Sequence, residues 1–293
     1  MYYYLYNFIL HTKIEFKMLK KVSSRDISDA PILHLYINSP LPQDADYILN
    51  FKENITYYFC PKNDSIFVET DDLSLLFSSF FNIPMSIFCL YKNFVLLHGN
   101  TLFYKNNLYC FCANKGIGKT TITALLSKNC NWFSDDCLGI GEYNNQIWGY
   151  NAVNTLKLCK NTCNHLLSQS IFNSYFDKLS QKAIIPASLF TAEAPCNKYP
   201  LKQIIFLSRN VGNSFELNPI KTRIQKAIYL IQSIVGTEYF DRLLIDIFKR
   251  TNLYEMILDK IDFYSLKIPD ISNYTKENLT HLKNKIFITE ESL

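Results

Sequence analysis

Residues 112–121 constrain the fold of this chain more than any other segment. They read Cys-Ala-Asn-Lys-Gly-Ile-Gly-Lys-Thr-Thr, and they stand between the apolar run 107–111 and three apolar residues at helical spacing, Ile122, Leu125 and Leu126. A buried strand, a glycine turn and a helix start would place several backbone N–H groups around one concave site. The segment therefore predicts a strand, a phosphate-binding loop and a helix in direct succession.

The loop departs from the usual glycine-rich pattern at one position, because Ala113 stands where the first glycine is expected. Alanine still allows the backbone to approach a phosphate when its φ is negative. Lys119 is predicted to reach the outer phosphates, and the Thr120 hydroxyl is predicted to bind the accompanying magnesium. The full predicted nucleotide-binding set is Ala113, Asn114, Lys115, Gly116, Ile117, Gly118, Lys119, Thr120 and Thr121.

Composition excludes several classes of protein. The chain has 293 residues, which is enough for one large domain or two smaller ones. Its formal net charge is only +4, with Lys and Arg scattered among acidic residues, so we expect no nucleic-acid partner. The nine cysteines show no metal-ligand spacing, which predicts reduced and mostly buried thiols without a zinc site.

The first ten residues do not predict a secretory signal, because they contain four tyrosines and an asparagine and lack a basic start. Their alternation of polar and apolar positions predicts a first β-strand. No later segment reaches the ~18 uncharged apolar residues of a membrane span. We therefore expect a cytoplasmic protein with no membrane partner.

The chain divides into a β-rich N-terminal region at 1–71 and a larger mixed domain at 72–293 with a helical C-terminal part. The predicted fold class is α/β (α+β). Turn residues separate the predicted N-terminal strands 14–16, 32–36, 55–59 and 65–68. The predicted elements that follow are a helix at 72–90, strands at 94–98, 101–105, 108–112, 132–135, 137–141 and 146–149, a helical region at 162–179, a strand at 203–207 and helices over 219–264.

A pair of carboxylates, Asp135 and Asp136, follows the short apolar strand that comes after the loop helix. Magnesium prefers hard oxygen ligands beside the phosphates, and one carboxylate often supplies them. The second carboxylate of a pair can then accept a proton from an attacking hydroxyl. An ordinary turn is the alternative, because Asp is common after strands.

His98 stands at the end of a predicted strand ahead of the loop strand and is followed by Gly99. A single histidine at a strand end is more often a hydrogen-bonding residue of the framework than a catalyst. Gly99 predicts a tight turn between the strands at 94–98 and 101–105. The residues alone leave both roles of His98 open.

These three motifs, in this order, resemble the HPr kinase/phosphorylase family. The motifs are Leu97-His98-Gly99, Gly116-Ile117-Gly118-Lys119 and Ser134-Asp135-Asp136. In that family a His-Gly pair precedes the loop lysine by 21 positions, and here 119 − 98 = 21. The resemblance covers residues 72–160, and it is closer to divergent relatives of the family in which a β-rich region precedes the kinase core.

The resemblance implies a fold and a set of roles. The expected fold is a phosphate-loop kinase core with a mixed, largely antiparallel sheet and flanking helices. Asp136 is expected to act as the general base and Lys119 to contact the phosphates. Asp135 is expected to bind magnesium or to support the base, and His98 to lie near the transferred phosphoryl group or the base. ATP and Mg²⁺ are the expected cofactors. The expected partner is an acceptor peptide or protein with a serine hydroxyl, since some divergent members phosphorylate ribosomally made peptides of the lasso type.

The sequence also departs from the family. Thr121 stands where the HPr kinases proper carry Glu, and the downstream segment linked to phosphorylase activity and HPr docking has no counterpart. Two alternatives to a peptide kinase therefore stay open. One is a nucleotide-gated binding module without phosphate transfer, and the other is a kinase of small hydroxyl compounds. A homo-oligomer is also left open.

Overall fold

The computed structural model describes residues 1–23, 30–51, 54–127, 130–153, 155–178, 180–189, 191–192, 194–239, 252–270 and 274–287. Within these ranges the chain forms helices and three β-sheets, and the predicted mixed class is confirmed. The helices are α1 (Leu73–Ser79), α2 (Ile83–Tyr91), α3 (Lys119–Leu126), α4 (Lys160–Leu166), α5 (Gln169–Ser174), α6 (Arg223–Ser233), α7 (Leu253–Lys260) and α8 (Lys276–Phe287).

The N-terminal region forms a six-stranded sheet in the order β1-β2-β3-β6-β5-β4. The first strand was predicted as one element but is a hairpin, because Tyr6 adopts a left-handed φ of 54° and turns the chain. The predicted strand at 14–16 is wrong, since Ile14 lies in a bend and residues 15–16 have no regular secondary structure. The strands are β1 (Tyr2–Leu5), β2 (Phe8–Thr12), β3 (Ile32–Ile37), β4 (Tyr47–Asn50), β5 (Ile55–Cys60) and β6 (Ser65–Thr70).

The helix predicted at 72–90 is two helices, α1 and α2, whose axes are bent by 57°. Asp72 begins α1, because its carboxylate accepts a hydrogen bond from the Leu75 amide at 2.9 Å. Pro84 sits in the first turn of α2, where its missing N–H is tolerated, and it could not continue α1. No single helix among the described residues is long and apolar enough to cross a membrane, although this bent pair together reaches that length and composition.

The central sheet has eight strands and carries the segment with the glycine loop. Its order is β11-β10-β7-β8-β15-β17-β16, and β9 pairs with β7 beside this path. A separate three-stranded sheet has the order β12-β14-β13. These strands are β7 (Val95–Tyr104), β8 (Asn107–Cys112), β9 (Asn131–Ser134), β10 (Cys137–Tyr143), β11 (Gln146–Tyr150), β12 (Thr155–Leu158), β13 (Phe176–Asp177), β14 (Lys182–Pro186), β15 (Lys198–Arg209), β16 (Glu216–Pro219) and β17 (Asp262–Ile268).

Strand β8 is covered on both sides, by antiparallel β7 and by parallel β15. Strand β15 in turn pairs in parallel with β17. The carboxyl ends of β8, β15 and β17 therefore meet at one edge of the sheet, and this edge carries the loop that follows β8. Most other pairings in this sheet are antiparallel, as expected.

Strand β7 was predicted as two strands separated by a turn at Gly99 but is continuous over ten residues. Gly99 lies inside the strand, where an added Cβ would stand 2.5 Å from the Cys110 sulfur of the neighbouring strand. The glycine is therefore required by the close approach of β8. The predicted turn is wrong for this reason.

The C-terminal half contains more strand than predicted. The helical region at 162–179 is split into α4 and α5 and ends in β13, while Leu179 lies outside the described residues. Within 219–264, α6 and α7 are helical, but Pro219 ends β16 and residues 262–264 belong to β17. The predicted helical positions Leu243, Leu244 and Ile247 also lie outside the described residues.

The N-terminal sheet shares an apolar core with the central sheet. One cluster of buried side chains joins Tyr3 and Val68 of the first sheet to Phe88 of α2, Leu96 of β7 and Tyr150 of β11. Because this core crosses the predicted boundary near residue 71, the division into two domains stays a prediction. The shared core holds α1 and α2 against the acidic turn described below.

A glycine of β10 tests how tightly this shared core is filled. A Cβ at Gly139 would lie 2.5 Å from a ring carbon of Phe94 and 2.8 Å from the Tyr6 ring. We expect Gly139→Ala to destabilise the fold by about 1–3 kcal/mol through overpacking, measured by urea unfolding. In the exposed loop, Gly212→Ala is the matched control, since its Cβ would meet Asn210 at an ordinary 3.5 Å. Equal unfolding free energies for the two variants would contradict this packing.

Candidate active site

The loop between β8 and α3 adopts a conformation that only glycine accepts easily. Gly116 and Gly118 have φ values of 86° and 108°, in the left-handed region. Gly118 immediately precedes α3 and offers no side chain to cap the first N–H groups of the helix. Asn114, Lys115 and Gly116 are exposed at the tip of the loop. The loop thus presents unpaired helix amides and a positive dipole end to a ligand.

Lys119 is the first residue of α3, and its side chain is buried. The residue is only 8% exposed, and its Nζ has no hydrogen-bond partner among the described residues. An ammonium group removed from water without a partner is unfavourable unless a counter-charge joins it. The buried amine beside the helix amides therefore fits an anionic ligand.

A buried asparagine connects the start of α3 with the acidic turn. The Asn100 amide donates to Thr120 Oγ1 at 3.1 Å and to Thr123 Oγ1 at 3.3 Å, and its Oδ1 accepts the Asp136 N–H at 3.4 Å. Sequence reasoning missed Asn100, although a polar residue within a fully buried stretch of β7 was the available signal. Asn100 holds the Thr120 hydroxyl and the acidic turn in fixed relation to each other.

The side chain of Thr121 faces away from the loop. Its hydroxyl lies 2.9 Å from the Thr162 hydroxyl of α4. Of the predicted nucleotide-binding set, Thr121 can therefore contribute only its backbone N–H without breaking this contact. Its side chain instead joins α3 to α4.

Arg209 is a second cation beside the loop that sequence reasoning missed. It ends β15, which runs parallel to the loop strand, and its Nη2 would lie 3.7 Å from a Cβ at Gly118. Parallel pairing brings the two strand ends together although 91 positions separate Arg209 from Gly118 (209 − 118 = 91). No local pattern could have indicated this proximity.

Asp135 and Asp136 form a short turn between two strands that pair with the same neighbour. Strand β9 pairs with β7 up to Ser134, and β10 resumes the pairing at Cys137. Asp136 adopts a left-handed φ of 62°, and its carbonyl accepts the Gly99 N–H at 3.1 Å. A non-glycine residue in this region is mildly strained, although aspartate is among the residues that adopt it most readily.

Asp135 is buried, and only one of its two carboxylate oxygens accepts a hydrogen bond from the described residues. It is 8% exposed, its Oδ2 accepts the backbone N–H of Lys157 at 2.7 Å, and its Oδ1 has no hydrogen-bond partner among the described residues. Burial and the neighbouring Asp136 carboxylate raise the pKa of Asp135 to about 7. This oxygen fits a cation as its partner, and the charge of a cation would favour the ionised form of Asp135.

Asp136 forms an ion pair with Lys157, whose Nζ lies 2.9 Å from Asp136 Oδ2. Burial alone would raise the pKa of Asp136, but Lys157, with Lys119 and His98 nearby, lowers it to about 2. Burial would likewise lower the pKa of Lys157, yet Asp136 raises it. Lys157 lies on β12 and was missed by sequence reasoning, because a long-range contact brings it to the turn.

His98 lies on β7 opposite Cys137, next to the acidic turn. Its side chain reaches solvent in a cavity of about 250 Å³ that the loop residues Ala113, Asn114 and Lys115 also line. Surrounding protein atoms and then Lys119 lower the pKa of His98 to about 4, while Asp136 acts in the opposite direction. The imidazole is therefore uncharged at neutral pH and can act as a neutral hydrogen-bond partner.

A second and larger cleft reaches the acidic turn. Its volume is about 530 Å³, and Asp135, Asp136 and Lys157 line one part of its wall. Residues from the loop are not among those that line it within the described ranges. One cavity therefore adjoins the loop, and another adjoins the acidic turn.

The site has few protein ligands for a metal. The described residues contain no group of three or more His, Cys, Asp or Glu side chains that could hold one. Magnesium usually keeps several waters and takes only one or two carboxylates beside phosphate oxygens. Asp135 Oδ1 and the Thr120 hydroxyl fit this kind of partial ligand set.

The raised pKa of Asp135 predicts how stability depends on pH. Its folded pKa, about 7, lies above its ordinary value of 3.8, so the carboxyl group increasingly penalises folding as pH rises through this interval. We expect Asp135→Asn to raise the melting temperature of the nucleotide-free protein above pH 7, with a smaller gain near pH 4. Exposed Asp71→Asn should show no such gain. A wild type more stable than Asp135→Asn above pH 7 would contradict the assignment.

No protein-family model matches the sequence, and no curated protein matches it. Among solved structures, the chain is similar to the HPr(Ser) kinase/phosphatase from Coxiella burnetii. The two chains are 14% identical, and the alignment covers 64% of this chain and 91% of that one with a TM-score of 0.32.

Proposed function

We propose that this protein is an ATP-dependent kinase that transfers the γ-phosphoryl group to a serine-type hydroxyl of a peptide or protein. The observation that carries the proposal is a pair of buried groups that have no hydrogen-bond partner in the part of the chain that the structure describes. The Lys119 ammonium lies at the start of the loop helix, and Asp135 Oδ1 lies in the adjoining acidic turn. A nucleotide phosphate and its metal would satisfy both groups at once.

The glycine loop and Lys119 form the donor half of the proposed site. The unpaired amides at the start of α3 would hold phosphate oxygens, and the Lys119 ammonium would neutralise the charge that collects on the transferred group. Because the loop glycines already hold left-handed conformations, the cradle needs little rearrangement when the nucleotide binds. Lys119 and the loop together supply binding and electrostatic stabilisation.

Thr120 and Asp135 would hold the magnesium that accompanies the nucleotide. Asn100 donates to Thr120 Oγ1 and thereby orients the hydroxyl. When bound, magnesium would supply positive charge beside the phosphates. Asp135 would become fully ionised on meeting this charge, because a cation lowers the pKa that burial has raised.

Asp136 would orient the acceptor hydroxyl and take its proton. In this step the hydroxyl oxygen bonds to the γ-phosphorus, the bond from that phosphorus to the bridging oxygen breaks, the proton moves to an Asp136 oxygen, and ADP leaves. Lys157 now pairs with Asp136 and makes it a weak base. An arriving γ-phosphate would compete for the Lys157 ammonium and so make Asp136 more basic.

His98 would contribute as an uncharged hydrogen-bond partner at the side of the loop. Its lowered pKa keeps the imidazole neutral, so it adds no charge to that of Lys119. It would help to position the transferred group or the Asp136 carboxylate. Glutamine can form hydrogen bonds but cannot transfer a proton as imidazole does. Phosphoryl transfer that survives in His98→Gln would therefore indicate a positioning role, and its loss would indicate proton transfer.

The proposal is tested with γ-labelled ATP, magnesium and two panels of candidate acceptors, one of serine peptides and one of small hydroxyl compounds. Label in a phosphoserine peptide supports the proposed kinase. Label found only in a small hydroxyl compound would show that the acceptor is a small molecule and not a peptide. Nucleotide binding with no label beyond slow inorganic phosphate would overturn phosphate transfer and favour a nucleotide-gated binding module.

A further inference from the structure

We propose that the 530 Å³ cleft is the acceptor site, and that it selects a hydroxyl carried beside an apolar group and a positive charge. This inference rests on the proposed kinase function. It assigns the second substrate to the surface between the α1–α2 turn and the sheet of β12–β14. The acceptor is defined by its chemistry: it is an alcohol that carries a positive charge and an apolar group, either within a peptide or as a small molecule.

The position of the cleft supports this assignment. Asp136, the proposed proton acceptor, lies in its wall, and so does Asp135, which is 92% buried (100 − 8) and has an Oδ1 without a partner among the described residues. Residues of the glycine loop line the other cavity, of about 250 Å³. An acceptor in the large cleft would therefore meet Asp136 without displacing a nucleotide from the loop.

The charge of the cleft selects against anionic acceptors. Its charged lining residues, within the part of the chain that the structure describes, are four aspartates and one lysine. The lysine, Lys157, is paired with Asp136. Asp72 and Asp177 also line the cleft and are half-buried; Asp72 accepts the Leu75 N–H, and Asp177 accepts the N–H and the hydroxyl of Ser180. Their negative charge would attract an ammonium or guanidinium group of the acceptor. The same charge would repel the phosphorylated product and favour its release.

The remaining lining of the cleft is apolar with a few hydroxyls. A volume of about 530 Å³ falls in the range of sites for small ligands, so it accommodates one hydroxyl-bearing side chain with its neighbours, or a small amino alcohol. The polar lining includes Ser74, Ser78 and Asn82 on the α1–α2 side. The apolar lining includes Tyr6, Met18, Phe77, Phe81, Val153 and Ile184.

Four probes test the charge preference: serine peptides that differ only in a neighbouring lysine, glutamate or glutamine, and the amino alcohol phenylalaninol. We expect kcat/KM to fall in the order lysine, glutamine, glutamate. Asp72→Asn combined with Asp177→Asn should lower kcat/KM for the lysine peptide about fivefold to tenfold through KM, with a smaller loss for the glutamine peptide. Equal loss on both peptides, or a glutamate preference, would overturn the proposal. Phenylalaninol reports whether a free alcohol suffices.

A second variant tests the location of the site. Ser78 is an exposed residue of α1 whose hydroxyl bonds back to the Leu75 carbonyl, so a larger side chain there should not disturb the fold. We expect Ser78→Trp to fill the cleft and lower transfer to every acceptor at least tenfold, with ATP binding unchanged. Ser174→Trp is the matched control on α5, since Ser174 is also exposed and bonds back to a helix carbonyl.

The outcomes separate this inference from the proposed function. If the wild type phosphorylates an acceptor and Ser78→Trp does so equally well, the cleft assignment is overturned while the kinase stands. If no acceptor is phosphorylated, the kinase proposal fails. In that case the cleft is tested by calorimetric titration with the lysine peptide. Binding to the wild type that is weaker in the aspartate double variant would still support a cation-selective site. Absence of that binding would overturn it.

Discussion

Replacement of Asp136 with Asn is expected to lower phosphoryl transfer by about 100- to 10,000-fold and to leave ATP binding nearly unchanged. An amide cannot accept the hydroxyl proton, whereas the loop and Lys119, which hold the nucleotide, keep their positions. Asn also tolerates the left-handed φ of 62° at this position, so the turn should keep its shape. Initial rates of phosphopeptide formation and calorimetric ATP titration measure the two effects.

Asp64→Asn provides the matched control for this substitution. Asp64 also adopts a left-handed φ, 48°, and it is also ion-paired with a lysine, Lys92, at 2.7 Å, but it lies in the N-terminal sheet region. We expect the control to transfer phosphate at the wild-type rate. A normal rate for Asp136→Asn would show that Asp136 is not the proton acceptor, and a loss of ATP binding would place it in the donor half instead.

Replacement of Lys119 with Met is expected to lower kcat/KM for ATP by about 100- to 1,000-fold. The buried ammonium would no longer neutralise charge on the transferred phosphoryl group. Unlike Asp136→Asn, this variant should also bind ATP more weakly, because the phosphate contact exists in the bound state as well. Steady-state kinetics with ATP as the varied substrate, together with calorimetric titration, measure both losses.

The stability of the Lys119 variant supplies an independent check. A buried ammonium without a partner opposes folding, so Lys119→Met should melt at a higher temperature than the wild type in the absence of nucleotide. Lys62→Met, at an exposed lysine of the N-terminal region, should change neither melting nor kinetics. If Lys119→Met keeps full activity, or if it is markedly less stable, Lys119 is a framework residue.

Local chemistry made the loop and the strand before it predictable. Gly116 and Gly118 mark left-handed positions, and apolar periodicity marks the strand and the helix on either side. These signals lie within 20 residues of one another (126 − 107 = 19). The Asp135-Asp136 turn was recognisable for the same reason, although the roles of both residues stay predictions.

Residues brought in by tertiary structure were not predictable from local patterns. Lys157 reaches Asp135 across 22 positions through one backbone hydrogen bond, and Arg209 reaches the loop through parallel pairing of β15 with β8. Gly99 misled the prediction, because a glycine needed for close strand packing has the same local signature as a turn. Pro84 marked a break that the apolar run from Leu73 to Leu90 concealed.

The acidic turn and the start of α3 together carry several features that oppose stability. Asp136 is held in a strained conformation, Asp135 has a buried oxygen without a partner in the described chain, and Lys119 has a buried ammonium in the same condition. Sites that bind a charged ligand commonly sacrifice stability in this way. Because these groups oppose folding when no ligand is bound, we predict that Asp135→Asn and Lys119→Met stabilise the nucleotide-free protein.

The fate of the γ-phosphoryl group of ATP tests the central claim most directly. With ATP whose γ-phosphate carries heavy oxygen, mass spectrometry distinguishes phosphate bound to a serine oxygen from phosphate that has reacted with water. We predict that most heavy phosphoryl groups consumed in the presence of the lysine-containing serine peptide appear in phosphoserine, and that Asp136→Asn abolishes this product. Heavy phosphate found only as inorganic phosphate, at the same rate with and without peptide, would contradict a hydroxyl kinase.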